Sequence, residues 1–73
     1  MQVKTPLDIG AQVRMARKVL KVTQQQLALT SGTGIRFVID LEKGKPTCQI
    51  GKVLQVLNTL GLTVELTSHG SQP

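Results

Sequence analysis

Tryptophan and tyrosine are absent from this 73-residue chain, and Phe37 is its single aromatic residue. Binding of single-stranded nucleic acid by base stacking uses several aromatic platforms, so that mode is disfavoured. Cys48 is the one cysteine. No intrachain disulfide can form, and the usual four-ligand zinc site lacks its donors. His69, the one histidine, lies in a polar tail far from Cys48, so no nucleophile–base pair is in view. The four acids are scattered, and no glycine pattern follows a strand as a nucleotide-binding loop requires. The chain is therefore expected to be no enzyme, with no catalytic residue, metal or cofactor. No signal-peptide pattern opens it, and no apolar run is long enough to cross a bilayer. A cytoplasmic location with no membrane partner is expected.

A chain this short builds one domain with a limited core. With a disulfide and a metal set aside, a second subunit is the remaining way to enlarge that core. The charge is unbalanced: nine basic residues face four acidic ones, for a net +5. Eight of the nine lie at or before Lys45, and Lys52 is the ninth. Basic charge concentrated on part of a small domain points to a polyanion. The scarcity of aromatics makes duplex DNA the expected one. The competing explanation is that these side chains only solvate helices.

The pattern divides the chain into a loose arm at 1–4, a domain at 5–67 and a disordered polar tail at 68–73. Thr5-Pro6-Leu7-Asp8 reads as a helix start, with a Thr cap, Pro in the first turn and an acid beside it. Ile9, Val13, Ala16 and Leu20 then repeat at helical spacing, and Arg14, Arg17, Lys18 and Lys21 fill much of the rest. Thr23-Gln24-Gln25-Gln26 fits a capping box in which Thr23 and Gln26 bond each other's backbone. That accounts for Gln26 and leaves Gln24 and Gln25 in a first turn that favours phosphate. Gly32 ends this second helix and Gly34 starts a third, which runs to about residue 43 before Gly44 and Pro46. Two short helices joined by a glycine turn make a helix-turn-helix. On the third helix Val38 and Leu41 share one side, flanked by Phe37, while Ile35, Arg36, Ile39 and Asp40 fall on the other.

Thr47 is expected to cap a fourth helix reaching about residue 60, with Ile50, Val53, Leu54, Val56, Leu57 and Leu60 as its apolar face. Residues 62–67 alternate apolar and polar, which is the signature of a half-buried strand. A lone strand has no ladder partner, so pairing with the same strand of a second copy is the simplest arrangement. The predicted fold class is all-α: a small helix-turn-helix bundle of four to five helices with one C-terminal β-strand pairing across a dimer. Val56, Leu60, Leu62, Val64 and Leu66 are the expected dimerisation residues.

The segments RKVLKVTQQQLA (17–28) and SGTGIRFVIDLEKGKP (31–46) resemble the Cro/phage-repressor, XRE-type helix-turn-helix family. The chain is further similar to HipB-like antitoxins, including their short Y4mF subgroup. That likeness is carried by Arg36-Phe37-Val38, Gly44-Lys45-Pro46-Thr47 and the ending LGLTVEL. The resemblance implies a four-helix domain dimerised partly by its strand. It also implies autorepression of an operon that encodes a HipA-like serine/threonine kinase toxin. Gln24 matches the family's phosphate-clamping glutamine, and Arg17 and Glu42 match positions that pair structurally. Lys21 departs from the pattern, since members usually carry Gly there. Gly34 and Ile39 stand where many members have Ser or another polar residue.

Base or phosphate contact is expected from Gln24, Gln25, Gly34, Ile35, Arg36, Ile39, Asp40, Lys43 and Lys45. Arg36 lies where a recognition helix reaches base edges, and Arg is the commonest bidentate reader of guanine. Ile35 and Ile39 either meet thymine methyls or pack on the second helix. Asp40 either accepts from a cytosine amino group or orients Arg36 one turn away. Lys43 and Lys45 flank a turn suited to phosphate contact, or serve solubility alone. The expected function is a sequence-specific repressor on an inverted-repeat operator, acting also as an antitoxin. A stand-alone phage-type repressor and a protein-interaction module are the alternatives.

Overall fold

The computed structural model describes residues 2–68. Four helices follow one another among them: α1 (Pro6–Val19), α2 (Gln24–Ser31), α3 (Ile35–Glu42) and α4 (Ile50–Thr59). The first two start as their residues dictate. Thr5 Oγ1 accepts from the Asp8 N–H at 3.2 Å, and Asp8 Oδ2 accepts from the Thr5 N–H at 3.1 Å and the Lys4 N–H at 2.9 Å. The Lys4 bond is the main reason the Asp8 carboxyl is held below its ordinary pKa. At α2 the box repeats, with Gln26 N–H to Thr23 Oγ1 at 3.0 Å and Thr23 N–H to Gln26 Oε1 at 2.8 Å. The start of α4 differs from expectation. Gln49, not Thr47, is its N-cap, and no side chain caps it.

All four helices close by the same pair of backbone bonds, in which one residue reaches back three positions and the next reaches back five. The residue that reaches back three takes a left-handed backbone. Gly32, Gly44 and Gly61 supply it after α2, α3 and α4, whereas α1 uses Lys21 at φ 58°. Lys21, where the resemblance implies Gly, thus keeps a glycine-like conformation without the glycine.

Val13, Leu27, Ala28, Val38, Leu41, Val53, Val56, Leu57 and Leu60 form the core, with Ile9, Ala16, Val22, Phe37, Cys48 and Leu62 packed against it. Leu20, expected on the buried face of α1, is exposed. Gly10 lets α1 press onto the end of α3: a Cβ there would lie 2.8 Å from the Glu42 carbonyl oxygen and closer still to that of Leu41. From the other side, α4 braces the helix-turn-helix through Gln55 Nε2, which donates to the Ser31 carbonyl at 3.2 Å.

Residues 62–68 form neither helix nor ladder within the subunit. Leu62 N–H donates to the Leu57 carbonyl at 2.9 Å, and its side chain reaches the core. Val64 and Leu66 are exposed. Leu60 is buried, and Val56 is fully buried in the subunit's own core, so Val56 has no surface to offer a second copy. Ile50 and Leu54, assigned to the packed face of α4, are exposed instead. The expected tail beyond residue 68 lies outside the described residues.

Candidate nucleic-acid interface

Helices α1, α2 and α3 are held together by one buried carboxylate. Glu42, the last residue of α3, accepts from Arg17 Nε at 2.7 Å and from Arg17 Nη2 at 3.1 Å. Arg17 completes its fork by donating Nη1 to the Val22 carbonyl at 2.9 Å. The pair is mostly buried, and the hydrogen bonds to Glu42 raise the Arg17 pKa above its ordinary value. Gln24 Nε2 donates to Glu42 Oε1 at 3.2 Å. Helices α1, α2 and α3 therefore converge on Glu42, and the first side chain of α2 is fixed against it.

Sequence reasoning placed Gln24 at a helix start; the structure adds that its amide orientation is set from below. An amide nitrogen has two hydrogens. With one directed to Glu42, the other is available for an external acceptor. Around it lies a cleft of about 340 Å³ lined by Arg14, Arg17, Gln24, Ile39, Glu42 and Lys43. Arg14 was missing from the expected interface. The signal for it was its spacing, three residues before Arg17 on the same side of α1.

On the outer face of α3, Ile35 and Arg36 are exposed and Ile39 is half-buried at the edge of the cleft. Gly34 caps the helix with no side-chain bond, and no atom lies within 4 Å of where its Cβ would be. Arg36 Nη1 lies 3.7 Å from Asp40 Oδ1, and Lys45 Nζ lies 3.5 Å from Asp40 Oδ2. Gln25, Lys43 and Lys45 are exposed. The structure thus brings Gln24, Ile39 and Lys43 to one cleft and Arg36, Asp40 and Lys45 to one ion-pair cluster.

No protein-family model matches the chain. A curated relative does: the uncharacterized HTH-type transcriptional regulator y4mF of Sinorhizobium fredii (strain NBRC 101917 / NGR234) is 54% identical over 71 residues, 97% of this chain and 93% of the relative. The chain belongs to the y4mF family of helix-turn-helix transcriptional regulators. Solved structures share the fold of this y4mF-family chain at low identity. HipB in a complex with an O4 20mer superposes with a TM-score of 0.85 at 17% identity, covering 96% of this chain and 99% of HipB. HipB in a complex with HipA, O2 and O3 superposes with the same score, identity and coverage. The HipB-like all-α helix-turn-helix fold is therefore shown for this chain.

Proposed function

We propose that this y4mF-family regulator is a dimeric repressor that reads an inverted-repeat operator in duplex DNA. The observation that carries the reading is the Glu42 hub. It fixes Gln24 at the start of α2 while α3 turns Ile35 and Arg36 outward from the same framework. In this reading Gln24, Gln25, Gly34, Lys43 and Lys45 meet phosphates, joined by Arg14. Arg36, Ile35 and Ile39 meet base edges. Complexes of HipB, which shares this fold, with O4 and O2 20mers support the DNA-binding reading.

The same reading makes the protein the antitoxin of a type II toxin–antitoxin operon, active in the cytoplasm. Its toxin is a HipA-like serine/threonine kinase. Support comes from the HipB-like sequence motifs and from a matching fold seen in a HipA–HipB complex. No helix among the described residues is long and apolar enough to cross a membrane.

Titration of random and operator duplexes at several salt concentrations tests the DNA reading. Log affinity is expected to fall linearly with log salt, with a slope of about −0.9 for each phosphate neutralised. Affinity that ignores salt, or no preference over random duplex, overturns it. Pull-down of the native protein followed by mass spectrometry tests the toxin. Recovery of a kinase encoded beside it is expected, and recovery of the regulator alone removes the antitoxin half.

A further inference from the structure

The outer face of α3 carries a carboxylate where contact with a polyanion has no use for one. Asp40 lies between two cations, Arg36 one turn earlier at 3.7 Å and Lys45 in the following turn at 3.5 Å. The Lys45 N–H also donates to the Asp40 carbonyl at 3.0 Å, so backbone and side chain both tie the turn to this residue. The Asp40 side chain is 22% exposed, against 75% for Arg36 and 53% for Lys45. The acid is sunk between its partners, and the cations stand above it. Glu42, the other acid of α3, is engaged inside the subunit with Arg17 and Gln24.

We propose that Asp40 is a specificity-determining residue that keeps Arg36 and Lys45 from indiscriminate phosphate contact. The proposal rests on the DNA-binding reading. A non-specific complex is built from phosphate contacts alone. Each cation held by Asp40 must loosen an ion pair to reach a phosphate, and the carboxylate itself repels that phosphate. The penalty falls on every duplex. At a cognate site it is offset, because Arg36 has five donors. The guanidinium can take O6 and N7 of a guanine while another edge stays on Asp40, which fixes its angle. Asp40 thus weakens binding to arbitrary DNA more than to the operator, and the ratio between the two rises.

The test uses the full chain and two duplexes: one enriched from a random-sequence pool by the unaltered protein, and a shuffled duplex of equal length and composition. Asp40→Asn is expected to tighten binding to the shuffled duplex by about 3- to 10-fold at low salt, the scale of two exposed ion pairs. Its salt slope on that duplex should steepen by about 1 as another phosphate is engaged. Preference for the enriched duplex should fall by a similar factor. Asp40→Glu keeps the charge and should retain most of the preference. Unchanged preference and salt slope in Asp40→Asn overturn the proposal while leaving the DNA reading intact. Weaker binding to both duplexes, with a lowered unfolding midpoint, assigns Asp40 a structural role and also overturns it. A chain that enriches no duplex fails the DNA reading, and the proposal falls with it.

Discussion

Gln24 and Glu42, eighteen positions apart, meet where α2 begins and α3 ends: the amide donates to the carboxylate at 3.2 Å. The same carboxylate holds Arg17, so the side chain proposed to meet a phosphate is fixed by the side chain that ties α1 to α3. A phosphate contact positions the protein without reading sequence. Gln24→Ala is therefore expected to weaken operator and shuffled duplexes alike, by about tenfold for one hydrogen bond to a charged group. Fluorescence anisotropy on both duplexes checks it. A loss confined to one sequence would show that Gln24 reads bases.

The Arg17–Glu42 pair is costly to break from one side. Arg17→Met leaves the Glu42 carboxylate buried with Gln24 as its remaining donor, and about 3–5 kcal/mol of stability should be lost. The double variant Arg17→Met/Glu42→Leu removes both charges and is expected to regain much of that. It should not regain DNA affinity, because Gln24 has lost its anchor. Urea unfolding and binding measured on the same samples separate the two effects. A double variant as unstable as the single one would show that the pair's worth lies beyond charge compensation.

Gly10 and Gly51 give opposite expectations for one substitution. At Gly10 an added methyl meets the carbonyl oxygens of Leu41 and Glu42. These are backbone atoms that cannot rotate away, so Gly10→Ala should cost about 1–3 kcal/mol and disturb Glu42 as well. At Gly51 nothing lies within 4 Å, and alanine should add up to about 1 kcal/mol through helix propensity. Thermal unfolding of the two variants decides, and the same sign in both would mean that α1 and α3 do not approach as described.

Lys21 holds a left-handed backbone at φ 58° in the turn that closes α1. For a side-chain-bearing residue that conformation costs roughly 1–2 kcal/mol, and glycine adopts it freely. The greater freedom of glycine in the unfolded chain takes back part of the gain. Lys21→Gly is expected to raise stability by about 0.5–1 kcal/mol. A midpoint unchanged or lowered in urea would refute the strain.

Local chemistry was legible in the sequence. The Thr23–Gln26 box, the Thr5-Pro6-Asp8 start and the glycines after α2, α3 and α4 each act within a few residues, so spacing alone discloses them. The start of α4 was not legible, because Gln49 caps it without a side-chain bond and Thr47 looked the better cap. Periodicity marked Ile50 and Leu54 as apolar, yet it cannot tell whether a small subunit has an element left to cover them. The Gln24–Glu42 bond and the entry of Arg14 into the cleft depend on how α1, α2 and α3 pack, which no local pattern encodes.

Residues 62–67 carry the last prediction. Their alternation is that of a strand, but within the subunit they belong to no ladder. They line a groove of about 760 Å³ with Gln2, Val3, Lys4, Ile9, Gln12 and Leu57, and Val64 and Leu66 are exposed beside it. Antiparallel pairing with a second copy would satisfy the backbone and cover these side chains, each worth roughly 1.5–3 kcal/mol when fully buried. The exposed Ile50 and Leu54 extend the apolar face of α4 that continues to Leu57. A two-fold axis there would set the two α3 helices about 34 Å apart, one turn of DNA, or a multiple of it. Truncation after Gly61 removes the segment, and Val64→Pro removes a donor from its centre. Both are expected to give monomers that protect half a site weakly in footprinting. Helical content should persist, since all four helices lie before residue 62. Sedimentation of either variant as an intact dimer, with operator affinity unchanged, would remove the strand from the interface and leave α4 as the surface to test next.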